Sequence, residues 1–247
     1  MKYDYPEDGT GKIMVHQGLN RVRILRDILN FSLLIMLSVI LIYCVTHDAK
    51  VVRGESMQPT INSSWDNDTQ YDIVILNKTT SIDRGDIIIV DFSDYSVTTS
   101  LIIKRVIATA GDTINITWDG ENQKLIVTLK KAGSEETEVL VENYIKKDAN
   151  DPTKDDSQAY ECASSFQLKD TGNGKYWNPE SYTQNEDGSI TIKEGYFFAL
   201  GDNRGESYDC SELGPMLVSN VVGVVDTIVP NGTFLNYFLR TFFGLRL

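Results

Sequence analysis

The sequence predicts a mainly β, barrel-like domain that follows one membrane-spanning helix. Three observations lead to this fold class. Residues 28–46 form a run of nineteen residues without a charge. Several short segments beyond it are rich in Val, Ile, Thr and aromatic residues, and no helical period of comparable strength follows residue 50. Apolar residues make up 41% of the 247-residue chain, which is enough for a packed core.

The apolar run at 28–46 is long enough to cross a bilayer. As a helix it spans roughly 28 Å, at about 1.5 Å per residue. A secretory signal peptide is the alternative, but its apolar stretch is usually about 7 to 15 residues long and ends at a small-x-small site. Tyr43, His47 and Asp48 fit such a site badly. We therefore predict a retained transmembrane helix at 28–46.

The flanking charges predict the orientation of this helix. Four basic residues precede the apolar run and two follow it closely: Lys12, Arg21, Arg23 and Arg26, then Lys50 and Arg53. Because basic residues favour the cytoplasmic side, we expect residues 1–27 in the cytoplasm and the rest of the chain outside, in a single-pass protein of the cell membrane.

Charge and cysteine content exclude several classes of function. The net charge of −12 opposes capture of nucleic acid phosphates, so we expect no nucleic acid partner. The three cysteines, Cys44, Cys162 and Cys210, have no spacing typical of a zinc site, so we expect no metal and no cofactor. Cys162 and Cys210 lie beyond the predicted helix, and either a disulfide or two free thiols fits their position.

The predicted strands are short and are bounded by Gly, Asp or Asn. They are Asp72–Leu76, Asp86–Phe92, Leu101–Ala108, Thr113–Trp118, Lys124–Leu129 and Asn220–Ile228. The dipeptide Asp119-Gly120 predicts a hairpin between two of them. Residues 133–188 are polar and acidic, and we expect a solvated insertion there rather than a second core.

Lys104 breaks the pattern of the apolar strand in which it lies. Side chains alternate along a strand, so Lys104 shares a face with Ile102 and Val106, while Arg105 points the other way. A lysine removed from water has a lowered pKa and becomes a neutral general base near physiological pH. An edge-strand lysine that reaches solvent is the structural alternative.

Two polar segments contain further candidate functional residues. Ser56 lies between a glycine and a proline in 53–60, where an exposed hydroxyl close to backbone N–H groups would suit an acyl-transfer nucleophile. An ordinary turn serine is the alternative. The loop 201–209 follows the apolar segment 196–200. The structural alternative is that its Asp and Asn side chains only form hydrogen bonds to the backbone of the loop itself.

Taken together in order, these segments resemble the conserved boxes of the bacterial type I signal peptidases. The matching motifs are Gly54-x-Ser56-Met57-x-Pro59-Thr60, then Lys104-Arg105-Val106-Ile107 with Gly111-Asp112, then Gly201-Asp202-Asn203-Arg204 with Ser207 and Asp209. These membrane-anchored serine/lysine proteases remove signal peptides from exported proteins. Eukaryotic-type and archaeal-type relatives have His where this chain has Lys104, which favours the bacterial type.

The resemblance implies a signal-peptidase-like β-barrel catalytic domain with an inserted β-rich region. The catalytic domain would comprise residues 47–112 and 189–232, and the acidic, non-catalytic insertion would comprise 113–188. The remaining tail, 233–247, has aromatic and basic residues suited to a membrane interface, and packing against the domain is the alternative.

The resemblance also assigns roles to residues. Ser56 would be the nucleophile and Lys104 its general base, with Ser207 hydrogen-bonded to the lysine amine. Gly54, Asp202, Arg204 and Asp209 would support them, and Met57 would contact the substrate. Two departures stand out: Gly54 has no hydroxyl to offer an oxyanion, and Asp209 is followed by Cys210 and Ser211, without the arginine that is common in the family.

The expected substrates are secretory preproteins with small-x-small cleavage sites. Ser56 lies ten residues after Thr46, so catalysis would take place close to the membrane lipid, where a signal peptide presents its cleavage site. An extended segment of this kind can bind by adding a strand to an exposed sheet edge. The alternative is a catalytically weak or inactive membrane-anchored assembly factor or chaperone of the same fold.

Overall fold

The computed structural model describes residues 17–63, 71–93, 101–167 and 177–243. The chain divides into two compact units, residues 1–46 and 47–247. In the first unit, helix α1 spans Gln17–Thr46, and its part Arg21–Thr46 is long and apolar enough to cross a membrane. The helix predicted at 28–46 is therefore confirmed as a helix, and it begins eleven residues earlier than its apolar run.

The described residues of the second unit form twelve strands and three α-helices. The strands are β1 His47–Val51, β2 Ile73–Asn77, β3 Ile87–Asp91, β4 Leu101–Ala108, β5 Thr113–Asp119, β6 Lys124–Lys130, β7 Thr137–Val139, β8 Tyr182–Gln184, β9 Ile190–Ile192, β10 Tyr196–Leu200, β11 Met216–Leu217 and β12 Val221–Val229. The helices are α2 Tyr160–Gln167, α3 Cys210–Leu213 and α4 Phe234–Phe243. The mainly β fold class is confirmed.

The strands form two antiparallel sheets. The larger sheet has the order β1-β2-β12-β3-β4-β10-β11, and the smaller has the order β7-β6-β5-β9-β8. All six predicted strands are present, each within one residue of its predicted ends. The hairpin at Asp119-Gly120 is confirmed, because β5 pairs with β6 and Asp119 lies opposite Lys124.

The main hydrophobic core contains residues of both sheets and a few residues of the segment predicted to be a solvated insertion. Phe166 of α2 and Trp177 pack edge-on at 5.9 Å between ring centroids, and both are buried. They belong to the same buried cluster as Val106, Phe198 and Leu200 of the large sheet. The expectation of a solvated insertion at 133–188 is therefore wrong in part: the segment adds buried residues to the main core, and its described residues form no second core. Its few apolar residues are widely spaced along the chain and come together only in the fold.

A second, smaller buried cluster supports the segment that follows β1. Val52, Met57 and Ile61 pack against Leu76 of β2 and Ile103 of β4. These side chains are almost completely buried, so the short segment 52–61 is held against the sheet although it has no regular structure. The cluster thereby fixes the position of Ser56, which lies between two of its members.

Candidate active site

Lys104 lies in the middle of β4, opposite Ile88 of β3, and only 4% of its surface is exposed. Removal of the ammonium group from water lowers the pKa of Lys104 below its ordinary value of 10.5. The negative charges of the Asp209 and Asp202 carboxylates act in the opposite direction but are weaker causes. The amine is thus buried as the sequence predicts.

Ser56 lies directly beside this amine. The hydrogen bond between Lys104 Nζ and Ser56 Oγ measures 2.9 Å. Ser56 is only partly exposed, and within the described parts of the chain its N–H donates to no acceptor. Gly54 precedes it with φ of +89°, a conformation that residues with a Cβ rarely adopt. The hydroxyl, the amine and an unused N–H therefore meet at one place.

The loop that follows β10 holds the backbone of Ser56 and its neighbour. The N–H of Asn203 donates to the carbonyl oxygen of Ser56 at 3.0 Å, and Asn203 Nδ2 donates to the carbonyl of Glu55 at 3.2 Å. Asn203 was not among the predicted site residues, although it lies within the third matching motif. It connects two segments that lie 147 residues apart in sequence.

Gly201 allows this loop to approach the serine. A Cβ atom at Gly201 would lie 2.5 Å from the carbonyl oxygen of Ser56 and even closer to Ser207 Oγ. Both distances are far below van der Waals contact, so no side chain larger than glycine fits here without movement of the backbone. Ser207 therefore lies close to the segment that carries Ser56.

The expected hydrogen bond from Ser207 to the amine of Lys104 is not formed. Ser207 Oγ is buried and has no hydrogen-bond partner among the described residues. The side chain of Met57 is 1% exposed within the small core cluster and does not line the cleft beside Ser56, and its contact with substrate stays a prediction. The order of the motifs predicts both residues near Ser56, but side-chain direction depends on the packing of the loops.

The carboxylate of Asp209 accepts hydrogen bonds from backbone N–H groups, in place of the arginine that is common in the family. Its Oδ2 accepts a hydrogen bond from Gly201 N–H at 2.8 Å, and its Oδ1 accepts one from Ser211 N–H at 3.0 Å. The second bond caps the short helix α3. The carboxylate thus joins the two ends of the loop 201–209.

Asp202 forms a partly buried ion pair with Arg105, the neighbour of Lys104. Arg105 Nε and Nη2 donate to its two carboxylate oxygens at 2.9 and 2.7 Å. Thr60 Oγ1 donates to the same carboxylate at 2.5 Å. The guanidinium lies 4.0 Å from the ring centroid of Tyr144. Asp202 therefore connects all three matching motifs, because Thr60, Arg105 and Asp202 belong to one each.

Arg204 forms a second ion pair with Glu142, and both side chains are almost completely buried. Arg204 Nη1 donates to Glu142 Oε2 at 3.1 Å, Nη2 donates to Oε1, and Nε donates to the carbonyl of Gly201 at 2.9 Å. Burial alone would lower the pKa of Arg204, and the charge of Glu142 raises it above its ordinary value. Glu142 comes from the insertion and carries no local signal that distinguishes it from the other acidic residues there.

A cleft of about 540 Å³ opens beside Ser56. It is lined by Lys50, Val51, Val52, Arg53, Gly54, Ser56, Ile89, Leu101, Ile102, Ile103 and Lys104. Its walls come from β1 and β4, which are four strands apart in the sheet order. Strands in a flat sheet would be roughly 19 Å apart at that spacing. The large sheet is therefore curled, which agrees with the predicted barrel-like shape.

The three cysteines are free thiols in the structure. Cys162 and Cys210 are buried close to the loop 201–209, and burial raises the pKa of the Cys162 thiol to about 12. The disulfide that the sequence left open is therefore not formed. The described residues also contain no cluster of three or more His, Cys, Asp or Glu side chains arranged to hold a metal ion.

Comparison with known proteins gives one consistent result. The model of the family described as signal peptidase, peptidase S26, matches residues 25–229, which is more than half of the chain. Signal peptidase I of Streptococcus pneumoniae serotype 4 is 28% identical over 174 residues, 70% of this chain and 76% of the relative. Signal peptidase I V of Bacillus subtilis is 28% identical over 179 residues, 70% of this chain and 80% of the relative.

A crystal structure of a signal peptidase I from Enterococcus faecalis covers 59% of this chain and 97% of its own, with 21% identity and a TM-score of 0.31, which is too low to support an argument. The family match by itself is decisive. This chain belongs to the signal peptidase family, peptidase S26.

Proposed function

We propose that Ser56 and Lys104 form the catalytic dyad with which this signal peptidase family member removes signal peptides from exported preproteins. The observation that carries the assignment is the 2.9 Å contact between Ser56 Oγ and an amine that is buried in an apolar strand. Burial favours the neutral amine, and only the neutral amine can accept the serine proton. No histidine or metal is needed for this step.

The reaction follows from this geometry. Ser56 Oγ attacks the carbonyl carbon of the scissile peptide bond while its proton passes to Lys104 Nζ. The ammonium then protonates the leaving amine as the peptide bond breaks, which leaves an acyl-enzyme on Ser56 and a neutral Lys104. Water, deprotonated by the same amine, hydrolyses the ester and restores both groups.

The Ser56 N–H, which has no acceptor among the described residues, supports a role as an oxyanion donor. Asn203 and Gly201 contribute indirectly, because the first binds the carbonyl of Ser56 and the second lets the loop approach it. These contacts hold the Ser56 peptide in place while charge develops on the substrate oxygen.

The cleft provides a binding site for an extended substrate strand. On one side, β3 pairs with β4 along Leu101–Arg105. On the other side, β10 pairs with β4 only from Arg105 onward, so within the described residues 101–104 have no neighbouring strand there. A substrate segment that pairs with this free edge would run past Ser56. Val52, Ile102 and Ile103 line the cleft and would favour small apolar side chains.

The site would work at the outer surface of a membrane. Helix α1 ends at Thr46 and β1 begins at His47. A transmembrane α1 with its basic N-terminal flank in the cytoplasm would hold the catalytic unit at the extracytoplasmic surface, where the cleavage sites of preproteins emerge.

The test is cleavage of a preprotein that carries an Ala-x-Ala site by the full chain reconstituted in liposomes. Mass spectrometry of the products should show a single cut after the second Ala. Ser56→Ala and Lys104→Met should each reduce kcat/KM by at least three orders of magnitude, since nucleophile and base act as a unit. Ser63→Ala and Lys124→Met alter exposed residues and should retain the parental rate.

Near-normal cleavage by the Lys104→Met protein would disprove the dyad. Binding of the preprotein by the parent without any cleavage would favour the assembly factor or chaperone alternative. The family match does not favour that alternative, and both dyad residues are present and in contact.

A further inference from the structure

The cleft beside Ser56 is basic, although the chain as a whole carries a net charge of −12. Its described lining includes Lys50, Arg53 and Lys104 and contains no acidic residue. Because Lys104 is buried, Lys50 and Arg53 provide the positive charge that an incoming substrate meets. A basic cleft in an acidic protein favours an acidic ligand.

Arg53 is the cation that is available to such a ligand. Its side chain is exposed, and it forms no ion pair with any residue that the structure describes. Lys50 is partly exposed and already pairs with Asp48 at 3.0 Å. The positive charge of Lys50 is therefore partly compensated, whereas that of Arg53 is not.

The backbone on both sides of Arg53 is held in place by one buried side chain. Asn62 Nδ2 donates to the carbonyl oxygens of Val52 and Gly54, each at 3.0 Å. Asn62 is 2% exposed, and its own N–H donates to the carboxylate of Asp72 at 2.7 Å. The side chain of Arg53 therefore extends from a fixed backbone position, so little backbone freedom is lost when it binds a substrate group.

The alternation of side chains indicates which substrate residue meets Arg53. Val52 is 5% exposed and belongs to the small core cluster, whereas its neighbour Arg53 is exposed. A substrate strand also directs successive side chains to opposite sides. In a small-x-small site the two small residues would face the apolar wall that includes Val52, Ile102 and Ile103, and the middle residue would face the exposed side, where Arg53 lies.

We propose that Arg53 gives this enzyme a preference for preproteins with an acidic residue between the two small residues of the cleavage site. The inference rests on the proposed function, because it names the substrates that the same cleft prefers. Arg53 would donate N–H groups of its guanidinium to the two carboxylate oxygens of that residue. Lys50 raises the positive potential of the cleft and supports the same preference.

The test compares three preproteins that differ only in the middle residue of an Ala-x-Ala site, which is Glu, Gln or Lys. The full chain is assayed in uncharged detergent micelles, and kcat/KM is measured for the parent, Arg53→Gln and Arg53→Glu. For the parent we expect a kcat/KM roughly threefold higher for Glu than for Gln and roughly threefold lower for Lys, as for an ion pair at a partly exposed site. Arg53→Gln should reduce these differences, and Arg53→Glu should reverse them.

These ratios compare substrates within one protein, so a general loss of activity in a variant does not affect them. Lys124→Glu changes an exposed residue outside the cleft lining and should keep the parental ratios. Addition of 1 M NaCl should weaken the preference of the parent, because the Debye length then falls to about 3 Å.

Equal rates for the three preproteins with the parent would overturn the preference and leave the proposed function intact. A preference that persists unchanged in Arg53→Glu would overturn the role of Arg53. Failure of the parent to cleave any of the three would overturn the proposed function and the inference together. An effect of Arg53→Glu that is the same for all three preproteins and appears only after addition of phosphatidylglycerol would show that Arg53 binds lipid headgroups, and would also overturn the proposal.

Discussion

Replacement of Lys104 by methionine should stabilise the fold while it abolishes catalysis. The lysine amine is buried, and its pKa is lowered because the charged form is removed from water. Met has a similar length and no charge, so it can occupy the apolar surroundings of β4 without desolvation of an ammonium group. The parent protein would therefore be less stable than the methionine variant, because burial of Lys104 costs free energy of folding. The same burial gives the parent a base that is neutral at the working pH.

The magnitude follows from proton linkage. Between the lowered pKa of Lys104 and its ordinary value of 10.5, the unfolded chain binds a proton at this side chain that the folded chain does not. The free energy of unfolding of the parent therefore rises with pH in this window, by about 1.4 kcal/mol per pH unit. Below the lowered pKa both states bind the proton, and the contribution is constant. Methionine binds no proton at any pH.

The advantage of Lys104→Met over the parent should therefore shrink by about 1.4 kcal/mol per pH unit across the window and level off near pH 10.5. Contributions from other titrating groups are shared by the two proteins and cancel in the difference. The assay is urea unfolding of the full chain in detergent micelles, followed by tryptophan fluorescence. The three tryptophans all lie beyond residue 46, so they report on the second unit.

The stability profile and the kinetics must agree. The ascending limb of kcat/KM against pH for the parent should have its midpoint at the pH where the stability difference begins to fall, since both report the pKa of Lys104 in the free enzyme. A stability difference that is independent of pH up to 10 would show that Lys104 has an ordinary pKa. The general-base assignment would then be refuted.

Three further predictions concern the support of the site. Glu142→Gln leaves the buried guanidinium of Arg204 without a counter-charge and should lower the free energy of unfolding by about 3 kcal/mol in urea titrations. Gly201→Ala should reduce kcat at least tenfold with little change in KM, because a Cβ would displace the backbone beside the nucleophile. Cys162 and Cys210 should resist alkylation in the folded protein and react fully in urea without reductant, as measured by intact mass.

Each of these predictions has a control. Glu135→Gln removes an exposed glutamate of the same insertion and should leave stability within about 0.5 kcal/mol of the parent. Gly120→Ala, in the turn between β5 and β6, has ordinary van der Waals space for a Cβ, does not line the cleft and should keep the parental kcat. Parental stability of Glu142→Gln, full activity of Gly201→Ala, or thiols that react in urea only after reduction would contradict the respective arguments.

Local pattern was sufficient to predict six of the strands, and the resemblance of three ordered motifs to a known family led to the predicted dyad. The six strands alternate or concentrate β-branched residues over a few positions, and such patterns depend only on near neighbours along the chain. Lys104 was identified because burial of a cation within an apolar strand costs free energy of folding. Ser56 was identified by the motif around it. Their contact agrees with the order of the motifs.

Only the tertiary structure decided how the site is supported. Arg204 and Glu142 are separated by 62 positions, and Asp202 and Arg105 by 97, so no local pattern could pair them. Asp209 could be satisfied without an arginine because the closure of its loop brings the N–H of Gly201 to it.

Packing between segments that are distant in sequence also explains the composition of the main core and the orientation of α4. The sequence by itself determined six of the strands, because strand propensity is a property of single residues and near neighbours, and the resemblance of its motifs to a known family supplied the prediction of the Ser56–Lys104 dyad. The fold decided that the acidic insertion shares the main core, that Ser207 does not bind the amine, and that α4 presents its apolar side outward. These outcomes depend on the direction in which side chains point after distant segments have packed together.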